Sequence, residues 1–319
     1  VGFDFELFHG YLNGTAEDFS RVTSDLLYSK QVPLSAGNPT GYTPINVGSI
    51  KNNGFEVTLD GNIINRKNFN WSWNLNLSHY KNTILALDES VAEKGIKGSN
   101  YIYAIGGSLY NAYMYKFAGV DAETGKGLYW KHDDDKGTDE VTSVFDEATQ
   151  YDLGSVMPKL YGGFGTSLNF YGFDLSAQCS FQLGGRYYDG SYQSLMWTQA
   201  SAGSAWHKDA LKAWTPENTD TVVPRLDGDT TVAQSALDRF MISSDYLSLN
   251  NVTLGYNLKL KNDYLKRIRV YGTVHNLATI TGYSGLDPEV PAIGYTAGTD
   301  ERDKYPTIRS FTFGVNLTF

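Results

Sequence analysis

The last twelve residues, 308–319, alternate between large apolar and small polar side chains. Successive side chains of a β-strand point to opposite faces of the sheet, so this strand would have one apolar face and one small, polar face. A chain that repeats such a pattern must separate an apolar environment from an aqueous one. The apolar face of this segment consists of Phe311, Phe313, Val315, Leu317 and Phe319.

The same alternation recurs at 55–63, 69–79 and 173–183. Aromatic residues such as Trp71 and Trp73 occupy apolar positions, whereas the other face is mainly Asn, Ser, Thr and Gln. Packed soluble strands usually expose charged groups, and small neutral groups suit the wall of a water-filled lumen. The pattern therefore predicts an all-β fold, a transmembrane antiparallel β-barrel, with a soluble β-protein as the alternative.

The composition excludes several classes of protein. The 319 residues contain no run of about eighteen apolar residues, which rules out membrane-spanning helices. A net charge of −9 argues against a nucleic-acid partner, because proteins that bind nucleic acids carry basic surfaces. The single cysteine excludes an intrachain disulfide framework and a cysteine-rich metal site.

We predict about eleven strands, joined alternately by short turns and long loops. Outer-membrane barrels have short periplasmic turns and long extracellular loops. The alternation therefore orients the chain, with short periplasmic connections at 9–10, 64–68, 120–125, 171–172 and 259–264. The strands are predicted at 1–9, 11–30, 52–63, 69–80, 108–119, 126–132, 159–170, 173–184, 245–258, 265–277 and 308–319.

An odd number of strands does not fit a complete bacterial barrel, because an open sheet edge cannot lie in lipid. The sequence also begins inside an alternating segment at Val1, without a signal peptide. We therefore expect the strands that close the barrel to lie outside this chain.

Short motifs spread along the chain resemble the SusC/RagA group of TonB-dependent outer-membrane transporters. Each motif is weak alone, but their order and spread make the resemblance specific. It covers essentially the whole chain and matches the C-terminal part of the family. The motifs are 23–27 (TSDLL), 46–56 (NVGSIKNNGFE), 115–127 (YKFAGVDAETGKG), 154–163 (GSVMPKLYGG), 245–256 (DYLSLNNVTLGY), 276–289 (NLATITGYSGLDPE) and 311–319 (FTFGVNLTF).

The resemblance implies that residues 1–319 form about eleven strands, the C-terminal half of a 22-stranded barrel. The N-terminal plug and the first half of the barrel would be absent. The whole protein would be an active importer of oligosaccharides or peptides in the outer membrane of a Gram-negative bacterium. It would work with a SusD-like surface lipoprotein and be energised by TonB through the missing N-terminal part. No cofactor is implied.

Two other readings of the sequence stay open. A passive porin-like or adhesin barrel would lack TonB coupling, and a plug with a TonB-contacting segment upstream of Val1 would exclude it. A secreted carbohydrate-binding β-sandwich would be soluble without detergent, so membrane fractionation would distinguish it.

The sequence shows no catalytic constellation, and we expect no enzyme activity. Its five histidines are scattered without metal-ligand spacing, and no G-x-S-x-G motif occurs. The acidic runs at 133–135 and 226–229 lack the full spacing of a calcium loop, so we read them as solvated loops and expect no metal site.

The loop at 185–244 is rich in aromatic residues. Their rings could pack inside the loop, contact the lipoprotein partner or stack on a sugar substrate. Residues 206–214 also read as a short helix, with its larger apolar side chains near one face. The candidate contact residues are Tyr187, Tyr188, Tyr192, Trp197, Trp206 and Trp214.

The motif GLDPE at 285–289 lies in the last predicted extracellular loop. Asp287 precedes a proline, which favours a turn that fixes the loop against the barrel rim. Substrate binding by Asp287 is the second interpretation. The resemblance also implies that Phe311, Phe313 and Phe319 form an assembly signal for outer-membrane insertion.

Overall fold

A computed structural model describes residues 1–31, 35, 37, 39–46, 48–133, 136–196, 203, 205–226, 236–261, 264–285, 287–289 and 305–319. Its main element is one antiparallel sheet, which we call the wall. The strands of the wall follow each other in chain order, and each pairs with the next. They are β1 (Gly2–Leu7), β2 (Leu12–Thr23), β3 (Gly48–Arg66), β4 (Phe69–Leu87), β5 (Leu160–Phe170), β6 (Phe173–Leu183), β7 (Tyr246–Lys259), β8 (Arg267–Thr281) and β9 (Ser310–Thr318).

The described residues place nine strands in the wall, so the predicted count of about eleven is not confirmed. The predicted strands at 108–119 and 126–132 do contain β-structure, but it pairs in small sheets outside the wall. Several of their side chains, such as Met114 and Tyr129, are buried among loop residues. The predicted strand at 11–30 is also divided, because β2 ends at Thr23 and a new strand begins at Leu27.

The connections of the wall alternate in length as predicted. Short ones, at 8–11, 67–68, 171–172 and 260–266, lie at one end, which we call the short-turn end. The segments 24–47, 88–159, 184–245 and 282–309 lie at the other, the long-loop end. The predicted short periplasmic turn at 120–125 was wrong, because it is a hairpin turn inside the connection 88–159.

The long connections contain short elements of their own. Among the described residues, no helix is long and apolar enough to cross a membrane. Strand pairs are Leu27–Gln31 with Tyr42–Asn46, Ile96–Lys97 with Ile102–Tyr103, Asn111–Tyr115 with Gln150–Ser155, and Arg186–Tyr188 with Met241–Ser243; Phe117–Val120, Gly127–Asp133 and Thr138–Thr142 form a three-stranded sheet. The α-helices are Glu89–Ala92 and Gly190–Leu195, and the 3-10 helices are Phe145–Glu147, Lys208–Lys212 and Asp238–Phe240.

The main apolar core of the described residues lies in the long connections and not against either face of the wall. Strands and helices from 88–159 and 184–245 contribute to it together. This placement differs from a soluble β-sandwich, in which the apolar faces of two sheets pack on each other. The buried members of the core are Ala112, Met114, Tyr129, Val156, Tyr188, Leu237 and Phe240.

The apolar face of the wall is open to its surroundings. Residues in register on neighbouring antiparallel strands share a face, and one such row crosses from β4 to β9. Phe313 in this row is 83% exposed, and Trp71 is 38% exposed. The Trp71 indole Nε1 donates to Thr166 Oγ1 at 3.0 Å, so its polar group is satisfied on this face. The row consists of Trp71, Leu168, Leu175, Leu254, Gly272 and Phe313.

Aromatic rings gather on the apolar face near the short-turn end. Phe69 meets Phe170 edge-on, with ring centroids 5.7 Å apart, and Phe170 lies 4.7 Å from Tyr171. Phe173 and Tyr256 form a third pair at 4.7 Å. A girdle of aromatic residues at the edge of an apolar band is typical of membrane barrels, where the rings lie at the lipid–water interface.

The two faces predict opposite responses to a new charge on β4. Leu75 lies on the apolar face between Leu59 and Phe164, whereas its neighbour Asn76 is exposed on the polar face. We expect Leu75→Arg to lower the free energy of unfolding in lipid vesicles by about 2–4 kcal/mol, and Asn76→Arg to cost far less. Urea unfolding of the full receptor measures both, and equal losses would contradict the assigned faces.

Candidate functional site on the polar face of the wall

A row of hydroxyl groups crosses the polar face from β4 to β9. The register of five successive strand pairs places these side chains side by side on one face. The Oγ1 atoms of Thr253 and Thr273 are 2.9 Å apart and hydrogen-bonded. Such a row offers uncharged donors and acceptors to water or to a polar solute. Its members are Ser72, Ser167, Ser176, Thr253, Thr273 and Thr312.

A second polar row lies next to the first, toward the long-loop end. Asn74, Gln178, Asn251 and His275 occupy it, and Gly165 is its position on β5. The side chains of Asn74 and Gln178 lie directly over Gly165, where a Cβ atom would collide with both. A larger residue at this position would force the two amides to move. A cavity of about 230 Å³ opens at this point.

One acceptor at this cavity is unused. Asn74 Oδ1 is buried, and no described group donates a hydrogen bond to it. A buried polar atom without a partner costs about 1–3 kcal/mol. The atom is thus ready to accept a hydrogen bond from a solute or from a further protein segment.

The GLDPE segment lies over the polar face near the long-loop end and is held there by Glu289. Ser180 Oγ donates to Oε1 of this carboxylate at 2.5 Å, and Ser248 Oγ donates to Oε2 at 2.7 Å. Asn250 Nδ2 adds a third contact at 3.2 Å. These donors come from β6 and β7, so the carboxylate joins the last long connection to two strands of the wall.

A β-bulge in β7 brings Asn250 to this site. The register against β6 and β8 shifts between Leu249 and Asn251, which leaves Asn250 as the extra residue. Bulges re-aim side chains that regular alternation would point elsewhere. Ser248 beside it is only 1% exposed, so the hydroxyl is enclosed with the carboxylate.

Asp287 stabilises the turn that presents Glu289. Its Oδ1 accepts from the Glu289 backbone N–H and its Oδ2 from the Thr307 N–H, both at 2.9 Å. The Tyr187 hydroxyl donates to the Pro288 carbonyl at 3.3 Å. This geometry favours the turn interpretation of Asp287 and brings two predicted site residues, Tyr187 and Asp287, to one place.

Tyr188 and Tyr192 pack inside the loop core. Their rings lie 6.2 and 5.9 Å from the ring of Phe240. The Tyr188 hydroxyl donates to Gln193 Oε1 at 2.7 Å, and burial raises the pKa of this phenol, which keeps it neutral. Both tyrosines therefore order the long connections.

Two of the three tryptophans predicted as contact residues, Trp206 and Trp214, are not part of that core. The third, Trp197, lies outside the described residues. Trp214 packs over Gly125 and donates its Nε1–H to the Ala122 carbonyl at 3.0 Å, whereas Trp206 is 46% exposed. The predicted helix at 206–214 is a 3-10 helix, Lys208–Lys212. Its buried side chain is Ala210, and Leu211 is 90% exposed.

A cation is enclosed next to the loop core. The Arg239 guanidinium lies 4.4 Å above the ring of Phe117. Loss of water lowers the pKa of Arg239 and raises the pKa of its neighbour Asp238. Asp238 Oδ1 accepts the Phe117 backbone N–H at 2.9 Å, and these contacts offset part of the desolvation cost.

The chemistry available on these surfaces is hydrogen bonding and stacking. Within the described part of the chain, no three residues among His, Cys, Asp and Glu come together as a metal site. Two histidines lie close to carboxylates in the loops, His132 to Asp139 at 2.8 Å and His207 to Asp209 at 3.3 Å. The polar face is thus equipped to bind and pass polar solutes.

Removing the Glu289 carboxylate tests whether it holds the last long connection on the wall. Glu289→Ala leaves three donors without their acceptor and should lower the local free energy of opening by about 1–3 kcal/mol. We expect faster amide hydrogen exchange at 282–289, and a smaller increase in Glu289→Gln, which keeps one acceptor. Glu123→Ala is the control, because that exposed turn carboxylate has no hydrogen-bond partner among the described residues. Unchanged exchange in Glu289→Ala would contradict the anchoring role.

Comparison with known proteins shows that the chain is similar to TonB-dependent receptors. No family model matches it. TonB-dependent receptor P3 of Formosa agariphila is 26% identical, with 100% of this chain and 33% of that protein covered. TonB-dependent receptor SusC of Bacteroides thetaiotaomicron is 26% identical, with 100% and 31% covered.

The fold agrees with this relationship. A solved structure titled as the RagAB peptide transporter matches with a TM-score of 0.81 and 27% identity, and the match covers 100% of this chain and 34% of that one. The chain spans about a third of the length of the curated relatives it matches. The resemblance predicted from the motifs is confirmed: along its whole length, the chain is homologous to TonB-dependent receptors of the SusC/RagA type.

Proposed function

We propose that this chain is the C-terminal portion of an outer-membrane active importer that takes up oligosaccharides or peptides. The observation that carries the proposal is the two-sided wall, with an exposed apolar face and rows of small polar groups on the other. Lipid would cover the apolar face, and the polar face would line the passage. A protein of this kind would be a multi-pass barrel in the outer membrane of a Gram-negative bacterium.

The remainder of the importer would come from outside these residues. Strands of the first half would pair with the open edges of β1 and β9, because lipid cannot satisfy backbone N–H and C=O groups. A plug would fill the lumen and shift when TonB pulls. The wall performs no catalysis in this mechanism. Its contribution is to form the passage, hold the loops and exclude lipid.

The relatives guide the choice of cargo and partner. The solved relatives are titled a peptide transporter and a peptide importer, which supports peptides as one cargo class. A SusD-like surface lipoprotein would bind the long-loop end. Contact with cargo or partner stays a prediction for Tyr187, Tyr188, Tyr192, Trp197, Trp206, Trp214 and Asp287. The assembly role of Phe311, Phe313 and Phe319 also stays a prediction.

Uptake in the native host tests the proposed function. Deleting the gene should abolish uptake of a labelled peptide mixture or a labelled oligosaccharide mixture, and the full-length gene should restore it. Collapsing the proton gradient should stop the restored uptake, because transport needs TonB. Uptake that continues without the gradient would indicate a passive barrel. Recovery of the protein in the soluble fraction would reject the outer-membrane assignment.

The exposed loop side chains test the partner surface. Trp206 and Leu211 lie close in sequence and expose 46% and 90% of their area, as expected of anchors for another protein. We expect the pair Trp206→Ala and Leu211→Ala to reduce the lipoprotein recovered with the purified receptor by about tenfold, equivalent to the loss of about 1.4 kcal/mol. Ile105→Ala is the matched control, an exposed apolar side chain in another long connection. If equal amounts of lipoprotein were recovered with all variants, the lipoprotein would bind a different surface of the receptor.

A further inference from the structure

A large cavity lies at the short-turn end of the wall, where residues of both faces line it. Its volume is about 830 Å³, within the range of small-molecule sites. The turns at 67–68 and 171–172 form one side, and the end of β7 with the start of β8 forms the other. It reaches Ser167 and Ser176 of the hydroxyl row, whereas the amide row and the Glu289 site lie nearer the long-loop end.

Among the charged residues that line this cavity, cations outnumber the acidic ones. Lys67, Lys259, Arg267 and Arg269 face it, and Asp174 is the one acidic residue among its lining residues. The whole chain has a net charge of −9, so this local excess of positive charge runs against the composition. A cleft lined by one sign of charge concentrates ions of the opposite sign.

Asp174 does not neutralise the cluster, because its oxygens are already used. Arg269 Nε donates to Oδ1 at 3.0 Å and its Nη2 donates to Oδ2. Asn257 Nδ2 donates to Oδ1 at 2.5 Å. Arg269 also lies 4.6 Å above the ring of Tyr271, so the guanidinium is fixed. Arg269 and Asp174 therefore form a complete ion pair, and Lys67, Lys259 and Arg267 remain as the other cations of the lining.

The three remaining cations have no ionic partner among the residues that the structure describes. Within the described part of the chain, no carboxylate pairs with Lys67, Lys259 or Arg267. Lys259 and Arg267 are in register across β7 and β8, so they project from one face side by side. Like charges on neighbouring strands repel each other, and an anion bound between them would reduce that repulsion.

The frame that carries these cations is well ordered by hydrogen bonds. The Asn257 backbone N–H donates to the Gly172 carbonyl at 2.7 Å, which ties β7 to the β5–β6 turn. The Tyr171 N–H donates to the Asn68 carbonyl at 3.0 Å, which ties that turn to the one carrying Lys67. Gly172 has φ of +95°, a conformation that the two-residue turn requires and glycine adopts easily.

We propose that this cavity is a binding site for a small anion that carries carboxylate or phosphate groups. The planar guanidinium of Arg267 suits the two oxygens of either group, and the two lysines supply point charges around it. The inference goes beyond the proposed import function, in which the polar face lines the passage and a plug fills the lumen. A carboxylate from another protein segment is the competing occupant.

The test uses the full-length receptor purified in detergent, with inorganic phosphate and citrate as separate probes in titration calorimetry. We expect at least one probe to bind, and Lys259→Gln with Arg267→Gln to weaken that binding by about tenfold or more, since each 1.4 kcal/mol corresponds to a factor of ten. Arg66→Gln with Lys261→Gln is the matched control; it removes one arginine and one lysine near the same end but outside the cavity lining. The control should leave binding within about twofold.

The two probes also identify the ligand chemistry. Tighter binding of phosphate assigns the site to phosphate groups, and tighter binding of citrate assigns it to carboxylates; both outcomes support the proposal. Equal binding by the lining variant and the wild type would overturn it. Failure of the wild-type receptor to bind either probe would also overturn it. If the melting temperature then fell in the lining variant and not in the control variant, the cations would instead hold a protein segment.

Discussion

The wall depends on backbone hydrogen bonds that run from strand to strand and leave both faces free to differ. Between neighbours the ladders satisfy the N–H and C=O groups, so neither face has to supply partners for the backbone. One face can therefore be apolar enough for lipid while the other carries hydroxyls and amides. On the apolar face the indole N–H of Trp71 is also satisfied, because it donates to Thr166 Oγ1 on the next strand.

Because the wall has no apolar interior of its own, tertiary packing is concentrated in the long connections. Met114, Tyr188 and Phe240 form a core there that resembles that of a small soluble domain. That core fixes the loops with respect to each other, and Glu289 fixes the last one with respect to the wall. The described parts of the loops at the long-loop end are thus held in place by their own contacts.

The sequence predicted the wall well and the loops poorly, for a physical reason. A wall strand has two different environments on its faces, and alternation records them directly, as in β6 and β9. Apolar side chains of residues 108–132 pack in the loop core and do not face lipid. They therefore indicated strands, but not that those strands pair outside the wall. Asp287 was identified because proline marks its turn, whereas Glu289 was missed. Its donors lie about 40 to 110 residues away, and no local pattern links them.

The polar face is not uniform along its length. On β4 to β9, the Glu289 carboxylate is bound to hydroxyls near the long-loop end, the middle carries hydroxyls and amides, and the short-turn end carries cations such as Arg267. A solute with negative groups would meet increasing attraction along this path. Neutral groups in the middle would hold it only weakly, since uncharged hydrogen bonds exchange with water at a small net gain. The gradient of charge gives the wall a direction that its regular backbone does not have.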